Sequence, residues 1–455
     1  MCAMRILLIS PSHYTPDGAI HKTTRYWTSA LTLPYLKALT PPGYDVEMID
    51  ELFHDVTPYL DRDYDLVGIT AMGPQIKRAY DLAAHFRARG TRVVLGGTWV
   101  TLTVEESLRH ADAVVAGEAE HVWPQLLADF AEGRNRGVYR ADGWHDLTDL
   151  PRIDYTTLPL LKYDAYRTSW LYRQYFHWPV FFSRGCPHPC DYCAVQSYYQ
   201  RSYRTRPVAD VIHDLRTIKS LGANRILFLD DNPIARPEAA KELFRAMIPL
   251  GMKWASQSTI NIARDPELLD LAARSGCVSL SIGLESLSEK SLAGVSKGFN
   301  QPRRFARDLA AIRAKGIQII ALLIVGLDGD TTDTFHRSLQ FLVDSKVSFL
   351  KLFTPCPYPG TAYYDAMQRA GRLLSDDWGR YDYGSPLVRP LHMTEQDMMD
   401  GFNYTYRGFY SLTSILRRLV PPARGSYFES AAYLVANLKV NHYLRTHDAA
   451  WATIS

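Results

Sequence analysis

Cysteine is scarce in this sequence, 6 in 455 residues, and a chain of that length with so few cannot rest on a disulfide scaffold. Long apolar runs are missing too. The longest mostly apolar stretch, residues 317–327, is too short to cross a bilayer. Neither sign of charge prevails: 51 Lys and Arg stand against 48 Asp and Glu, which argues against a dedicated nucleic-acid surface. No basic segment, apolar core and cleavage site open the chain, because residues 5–10 read as a first strand. There is no internal repeat and no low-complexity tract. These absences leave a cytoplasmic enzyme as the expectation. The 47% hydrophobic and 22% charged residues are the balance of a packed globular protein, and 455 residues predict two or three domains.

What is present is alternation, so the fold class is α/β. In residues 1–135, short aliphatic runs at 5–10, 45–50, 66–70, 92–97 and 112–117 fit strands buried on both faces of a parallel sheet. Residues 79–89 and 121–130 have helical apolar spacing between them. The pattern predicts a Rossmann-like doubly wound domain, with ligands at the carboxyl ends of its strands. Residues 136–175 lose the rhythm and read as a linker. A second series fills residues 176–360, with strands from Val180 and at 225–230, 253–258, 278–284, 317–327 and 349–355. Helices at 208–220, 237–248 and 305–315 separate them, which predicts a partial (β/α)6 TIM-type barrel with its site at the strand ends. Residues 361–455 read as mostly helical, with Thr394 and Asp397 capping one helix.

Three of the six cysteines, Cys186, Cys190 and Cys193, crowd into eight residues just after a strand. Three thiolates at those gaps can ligate three irons of a cubane and leave the fourth without a protein ligand. The other reading is zinc, with His188 nearby, but a structural zinc site brings a second ligand pair and none follows. With Tyr192 before the last cysteine, the loop resembles the radical S-adenosylmethionine (SAM) superfamily. The resemblance implies a [4Fe–4S] cluster whose open iron binds SAM, and reductive cleavage to a 5′-deoxyadenosyl radical. It also implies an external electron donor such as flavodoxin or ferredoxin.

Later strand ends carry groups that suit SAM. Asp230 and Asp231 fit its cationic amino group, although the pair could instead hold a metal, with Asn232 a turn residue and Asp231 a helix cap. Ser256, Gln257 and Ser258 offer neutral hydrogen bonds. Gly283 permits close backbone approach, and Glu285 can accept from ribose hydroxyls. By the resemblance, Tyr192, Val325 and Gly326 border the adenine.

The front half, through residues 33–41, 46–51, 68–70, 95–97 and 115–118, resembles the cobalamin-dependent radical SAM enzymes. There, Gly96, Gly97, Gly117 and Glu118 would admit the dimethylbenzimidazole tail of cobalamin, and Thr70 would hydrogen-bond it. The alternative is a bare flavodoxin-like domain. The D-x-H-x-x-G motif of histidine-ligated cobalamin is absent, and His13 and His21 read as loop histidines. A cobalt without a strong lower ligand favours cob(I) and methyl transfer. Residues 228–232, 354–361 and 404–410 resemble the branch of hopanoid, tetraether-lipid and bacteriochlorophyll C-methylases.

The function implied is C-methylation of an unactivated carbon through methylcobalamin and a 5′-deoxyadenosyl radical. A non-methylating radical enzyme (cyclisation, C–C bond formation or oxidation) and a non-enzymatic cofactor-binding protein stay open. The substrate implied is a small hydrophobic molecule, lipid or tetrapyrrole-like, and the C-terminal aromatic helices could cover it or lie against a membrane. Cys356 either packs or faces the radical, Cys277 reads as core and Cys2 as an exposed thiol. The aromatic run Trp170, Tyr172, Tyr175, Phe176, His177 and Trp178 reads as core, or as a lining of the cobalamin–barrel interface.

Overall fold

Aliphatic runs bounded by glycine and charge form the strands of a first unit, which comprises residues 1–180, 213–225 and 377–379 of the computed structural model. The structure describes residues 4–15, 17–23, 28–162, 164–421 and 427–445; Cys2 and the Trp170 side chain lie outside that description. The strands are β1 (Met4–Ser10), β2 (Tyr44–Asp50), β3 (Leu66–Thr70), β4 (Arg92–Gly96), β5 (Ala113–Ala116) and β6 (Val138–Arg140). They pair in parallel in the order β2-β1-β3-β4-β5-β6. Ile6, Leu8, Leu66, Val94 and Val115 pack one face against Trp123, Leu126, Leu127 and Phe130 of the helix Val122–Ala131. The strand order reverses direction beside β1, and such a switch point places ligands at the carboxyl ends of β1 and β3.

Two details differ from the sequence reading. The helix Gln75–Ala88 begins earlier than its apolar spacing indicated, with Pro74 at its N-cap. Strand β6 falls inside the segment read as linker. Its three residues alternate exposed, buried and exposed around Tyr139, too short a pattern to stand out.

The second unit comprises residues 181–212, 226–376 and 380–455. The later strands are β7 (Trp178–Val180), β8 (Ser183–Gly185), β9 (Tyr203–Thr205), β10 (Arg225–Phe228), β11 (Lys253–Ser258), β12 (Cys277–Glu285), β13 (Gln318–Ile324) and β14 (Phe349–Phe353). A six-stranded sheet runs β14-β13-β12-β11-β10-β7, as a partial barrel requires. The single strand expected from Val180 is instead broken, and β8 turns away to pair antiparallel with β9. The break has a local cause: the amides of Phe182 and Ser183 donate to the Asp230 carboxylate, so neither can extend the ladder.

Register fixes which side chains share a face. Gln257, Ser281, Ile320 and Phe349 lie in one row across β11 to β14. Gly283, Leu322 and Lys351 form the next row, and Ile324 with Phe353 a third, nearest the strand ends.

Helices follow the sheet. Thr394 and Asp397 form the capping box expected, at the start of Glu395–Phe409. Further on, Leu412–Leu419 carries Arg418, which is buried and donates to Val347 O (2.7 Å), Phe409 O (2.8 Å) and Asn437 Oδ1 (2.9 Å). Arg418→Met would leave these acceptors buried and unmatched. We expect it to cost about 3 kcal/mol or more, read as a lower unfolding midpoint in calorimetry. Among the described residues no helix is long and apolar enough to cross a membrane.

Candidate active site

The cysteine loop is built around one obligatory glycine. Gly185, at the end of β8, has φ +85°, and a Cβ there would come within 2.1 Å of the Ser202 carbonyl oxygen. The chain then passes through Cys186, Cys190 and Cys193 and is stapled on both sides of Asp191. The Asp191 amide donates to Val295 O (3.3 Å), its carboxylate accepts from Ser296 Oγ (2.6 Å), and its carbonyl accepts from the Tyr363 amide (3.1 Å). His188 stacks on Phe299, with ring centroids 4.0 Å apart, so its ring serves packing.

The three thiols are unbridged, and burial pushes all three up, Cys190 to about 12 and Cys193 to about 11. Buried sulfurs of this kind hold charge only against a cation such as iron. Asn232 adds a donor, its Nδ2 lying 3.8 Å from Cys186 Sγ. Its Oδ1 is buried with no hydrogen-bond partner among the described residues, an orphaned acceptor beside the first thiol. A cubane, whose irons are spread over several corners, fits this donor set.

The two aspartates after β10 divide their work. Asp230 is fully buried and accepts from the Phe182 amide (3.0 Å), the Ser183 hydroxyl (2.5 Å) and the Ser183 amide. Its carboxylate is thus taken up by the chain, which corrects the expectation that it faces the amino group of SAM. Burial lifts it to about 7 against the pull of those bonds. Asp231 accepts from the Gly185 amide (3.1 Å), and its charge acts on both Cys186 and Cys193. Burial raises Asp231 to about 6.

Glu285 stands at the end of β12 with φ +63°. Lys297 donates to its Oε1 at 2.6 Å and to the Tyr192 hydroxyl at 3.2 Å, which ties the cysteine loop to the fourth barrel strand. Burial works to lower the Lys297 ammonium, but Glu285 and the sulfurs of Cys190 and Cys193 raise it overall. Gly283 leaves room here for the tips of the Glu285 and Lys297 side chains. A Cβ would approach Glu285 Oε1 to 2.5 Å and Lys297 Nζ to 3.0 Å.

Ser258 is buried and donates to its neighbour's carbonyl, Thr259 O, at 3.1 Å. The Val325 amide continues the ladder to Phe353 O at 2.9 Å. Gly326 has φ +97°, and a Cβ would meet Met398 Sδ at 2.3 Å, so the close approach it permits is to a helix of this chain. Cys277 is core as expected. Cys356 is buried as well, and burial holds its thiol well above the ordinary range.

In the first unit, Thr70 ends β3 and Gly96 ends β4 in register with it. Gly97, at φ +101°, leaves no room for a Cβ, which would lie 2.8 Å from both Ala71 O and Thr70 Oγ1. Gly117, at φ +89°, has open space where a Cβ would stand. Thr70 has no side-chain hydrogen bond with any described residue, so a polar group and a bare backbone turn meet at the sheet's carboxyl edge. That arrangement fits a bulky ligand. Gly96 is not sterically required, and Glu118 accepts from the His145 amide at 2.8 Å. His13 and His21 stack on each other at 4.8 Å, and burial with His21 lowers His13 to about 4. Phe176 and Trp178 are buried, as an aromatic core requires.

Comparison with known proteins finds a family match in each half of the chain. Residues 180–342 match the radical SAM superfamily, and residues 23–127 match the B12 binding domain. The chain is 29% identical over 420 residues to the bacteriochlorophyllide d C-12(1)-methyltransferase of Chlorobaculum tepidum, covering 91% of this chain and 89% of that one. It is 26% identical over 349 residues to the hopanoid C-2 methylase of Rhodopseudomonas palustris, covering 75% and 64%. The radical SAM methyltransferase TsrM from Kitasatospora setae, solved with cobalamin and a [4Fe–4S] cluster, shares the fold, with a TM-score of 0.70 at 15% identity over 97% of this chain and 99% of that one. With a cysteine loop suited to a cubane and a sheet edge suited to a corrinoid, the chain carries a radical SAM domain and a B12-binding domain, the pairing found in the cobalamin-dependent radical SAM enzymes it resembles.

Proposed function

We propose that this enzyme methylates an unactivated carbon of a hydrophobic small molecule, with tetrapyrroles the first class to test. The observation that carries the reading is the ring of groups around the thiols: Asn232 with an orphaned oxygen, Asp231, and the Glu285–Lys297–Tyr192 chain. When bound, the cluster and SAM supply a hydrogen-abstracting radical and cobalamin supplies the methyl group. The protein's own task is to hold, orient and shield. Cys186, Cys190 and Cys193 anchor the cluster. Asp231 and the Asn232 oxygen receive the amino group of SAM, and Glu285, oriented by Lys297, accepts from its ribose. The backbone at Val325 and Gly326, with Tyr192, borders the adenine. Thr70, Gly97 and Gly117 seat the corrinoid tail. The electron donor is a small redox protein of the flavodoxin or ferredoxin type.

Exposed Leu412, Leu416 and Val420, at helical spacing, with Phe428 and Val435, support a resting place against a lipid surface. The relative named above as a bacteriochlorophyllide methyltransferase favours a tetrapyrrole. Under reducing, anaerobic conditions the product should gain one methylene in mass, with two SAM consumed per product. A product altered without that gain would move the reading to cyclisation or oxidation. Glu285→Gln should weaken SAM binding about tenfold or more and leave cluster iron unchanged, as equilibrium dialysis and iron analysis would show.

A further inference from the structure

One cation in the barrel has no role in the account so far. Phe353 and Tyr192 of the cysteine loop pack against one cluster that includes Ile324, so the face of β13 and β14 that carries Ile324 and Phe353 looks toward that loop. Lys351 lies on the same face, two residues earlier along β14, while its neighbours Leu350 and Leu352 are wholly buried on the other side. Two residues earlier still, Phe349 meets the rings of Tyr410 and Tyr433 at 5.3 and 6.2 Å, and the Tyr433 hydroxyl bonds Ser279 at 2.6 Å. Lys351 therefore stands between an aromatic floor and the cysteine loop, level with Leu322 and Gly283.

Space remains on this face. Gln257 is exposed although β10 and β12 flank it, so protein does not fill the chamber. Lys351 makes no hydrogen bond or ion pair with any described residue. Lys297, by contrast, is matched by Glu285. Burial alone lowers the Lys351 ammonium, with no carboxylate opposing it. A half-buried cation without a counter-ion gives up part of its hydration for nothing in return, and a ligand that brings an anion offsets that loss.

We infer that Lys351 receives a carboxylate of the substrate, so the substrate is an apolar molecule carrying an acid group. Ile320, Leu322 and Phe353 supply the apolar wall for its body. The inference rests on reading the barrel as the substrate chamber of a radical methyltransferase.

The test is a binding comparison on anaerobic holoenzyme with two probes: a chlorophyllide with its propionic acid free, and the same pigment as its methyl ester. Binding is read from pigment absorbance and needs no turnover. Wild type should bind the acid about tenfold or more tighter than the ester. Lys351→Met should bind both alike, at the ester's affinity, and Lys351→Arg should keep a preference for the acid. Equal binding of both probes by wild type, or a preference that survives in Lys351→Met, would overturn the inference. So would a Lys351→Met variant that loses SAM affinity and keeps its choice of acid. If the acid is preferred but no methyl group is ever gained, the inference stands and the methylation reading falls.

Discussion

Alanine in place of Cys186, Cys190 or Cys193 should each reduce 5′-deoxyadenosine formation to background. The reason is geometric. Three thiols on one loop can hold three irons, and losing one opens a second iron to solvent, so the cubane degrades. The rest of the loop does not depend on those sulfurs: Asp191 is held by Val295, Ser296 and Tyr363, and His188 by Phe299. The variants should therefore fold, with a near-wild-type unfolding midpoint once the metal-free proteins are compared. Chromatography of reaction mixtures and iron analysis check the two halves of this prediction. Full activity in any one variant would refute the cluster assignment.

Asp230→Ala should have the largest effect on the structure. It leaves the amides of Phe182 and Ser183 and the Ser183 hydroxyl without their acceptor in a buried place. Each unmatched group costs about 1–3 kcal/mol, so the sum is about 3 kcal/mol or more, against a total stability of roughly 5–15 kcal/mol. The strand break before the cysteine loop depends on this carboxylate, so cluster occupancy should fall with stability. Asp230→Asn should rescue little, since its amide NH2 would face donors. A variant with wild-type iron and an unchanged midpoint would restore Asp230 to the ligand site.

These contrasts show what was legible in the sequence. The cysteine loop was, because its ligands are contiguous and their spacing is the chemistry. The strands were, because β11 and its neighbours are aliphatic or polar runs bounded by turns, and Thr394 with Asp397 announced their cap. The division between Asp230 and Asp231 was not legible, because it is set by the amides of Phe182, Ser183 and Gly185, which the fold brings from a distant stretch of the chain. Lys297 was not legible. It reaches Glu285 after a short helix and a positive-φ residue, Ser296, so no periodic signal ties it to the site. Gly283 was read as permitting close approach and Gly326 as bordering the adenine, yet each also makes room for side chains of this chain, the Glu285–Lys297 pair and Met398. Lys351 was hidden because a lysine in a strand reads as solvent-facing until register places it on the inner face.

The most direct test of the central claim is Mössbauer spectroscopy of protein reconstituted anaerobically with labelled iron, with and without SAM. The account predicts a [4Fe–4S] signal in which one iron changes environment when SAM is added and the other three do not. A signal indifferent to SAM, with all four irons held by the polypeptide, would contradict it.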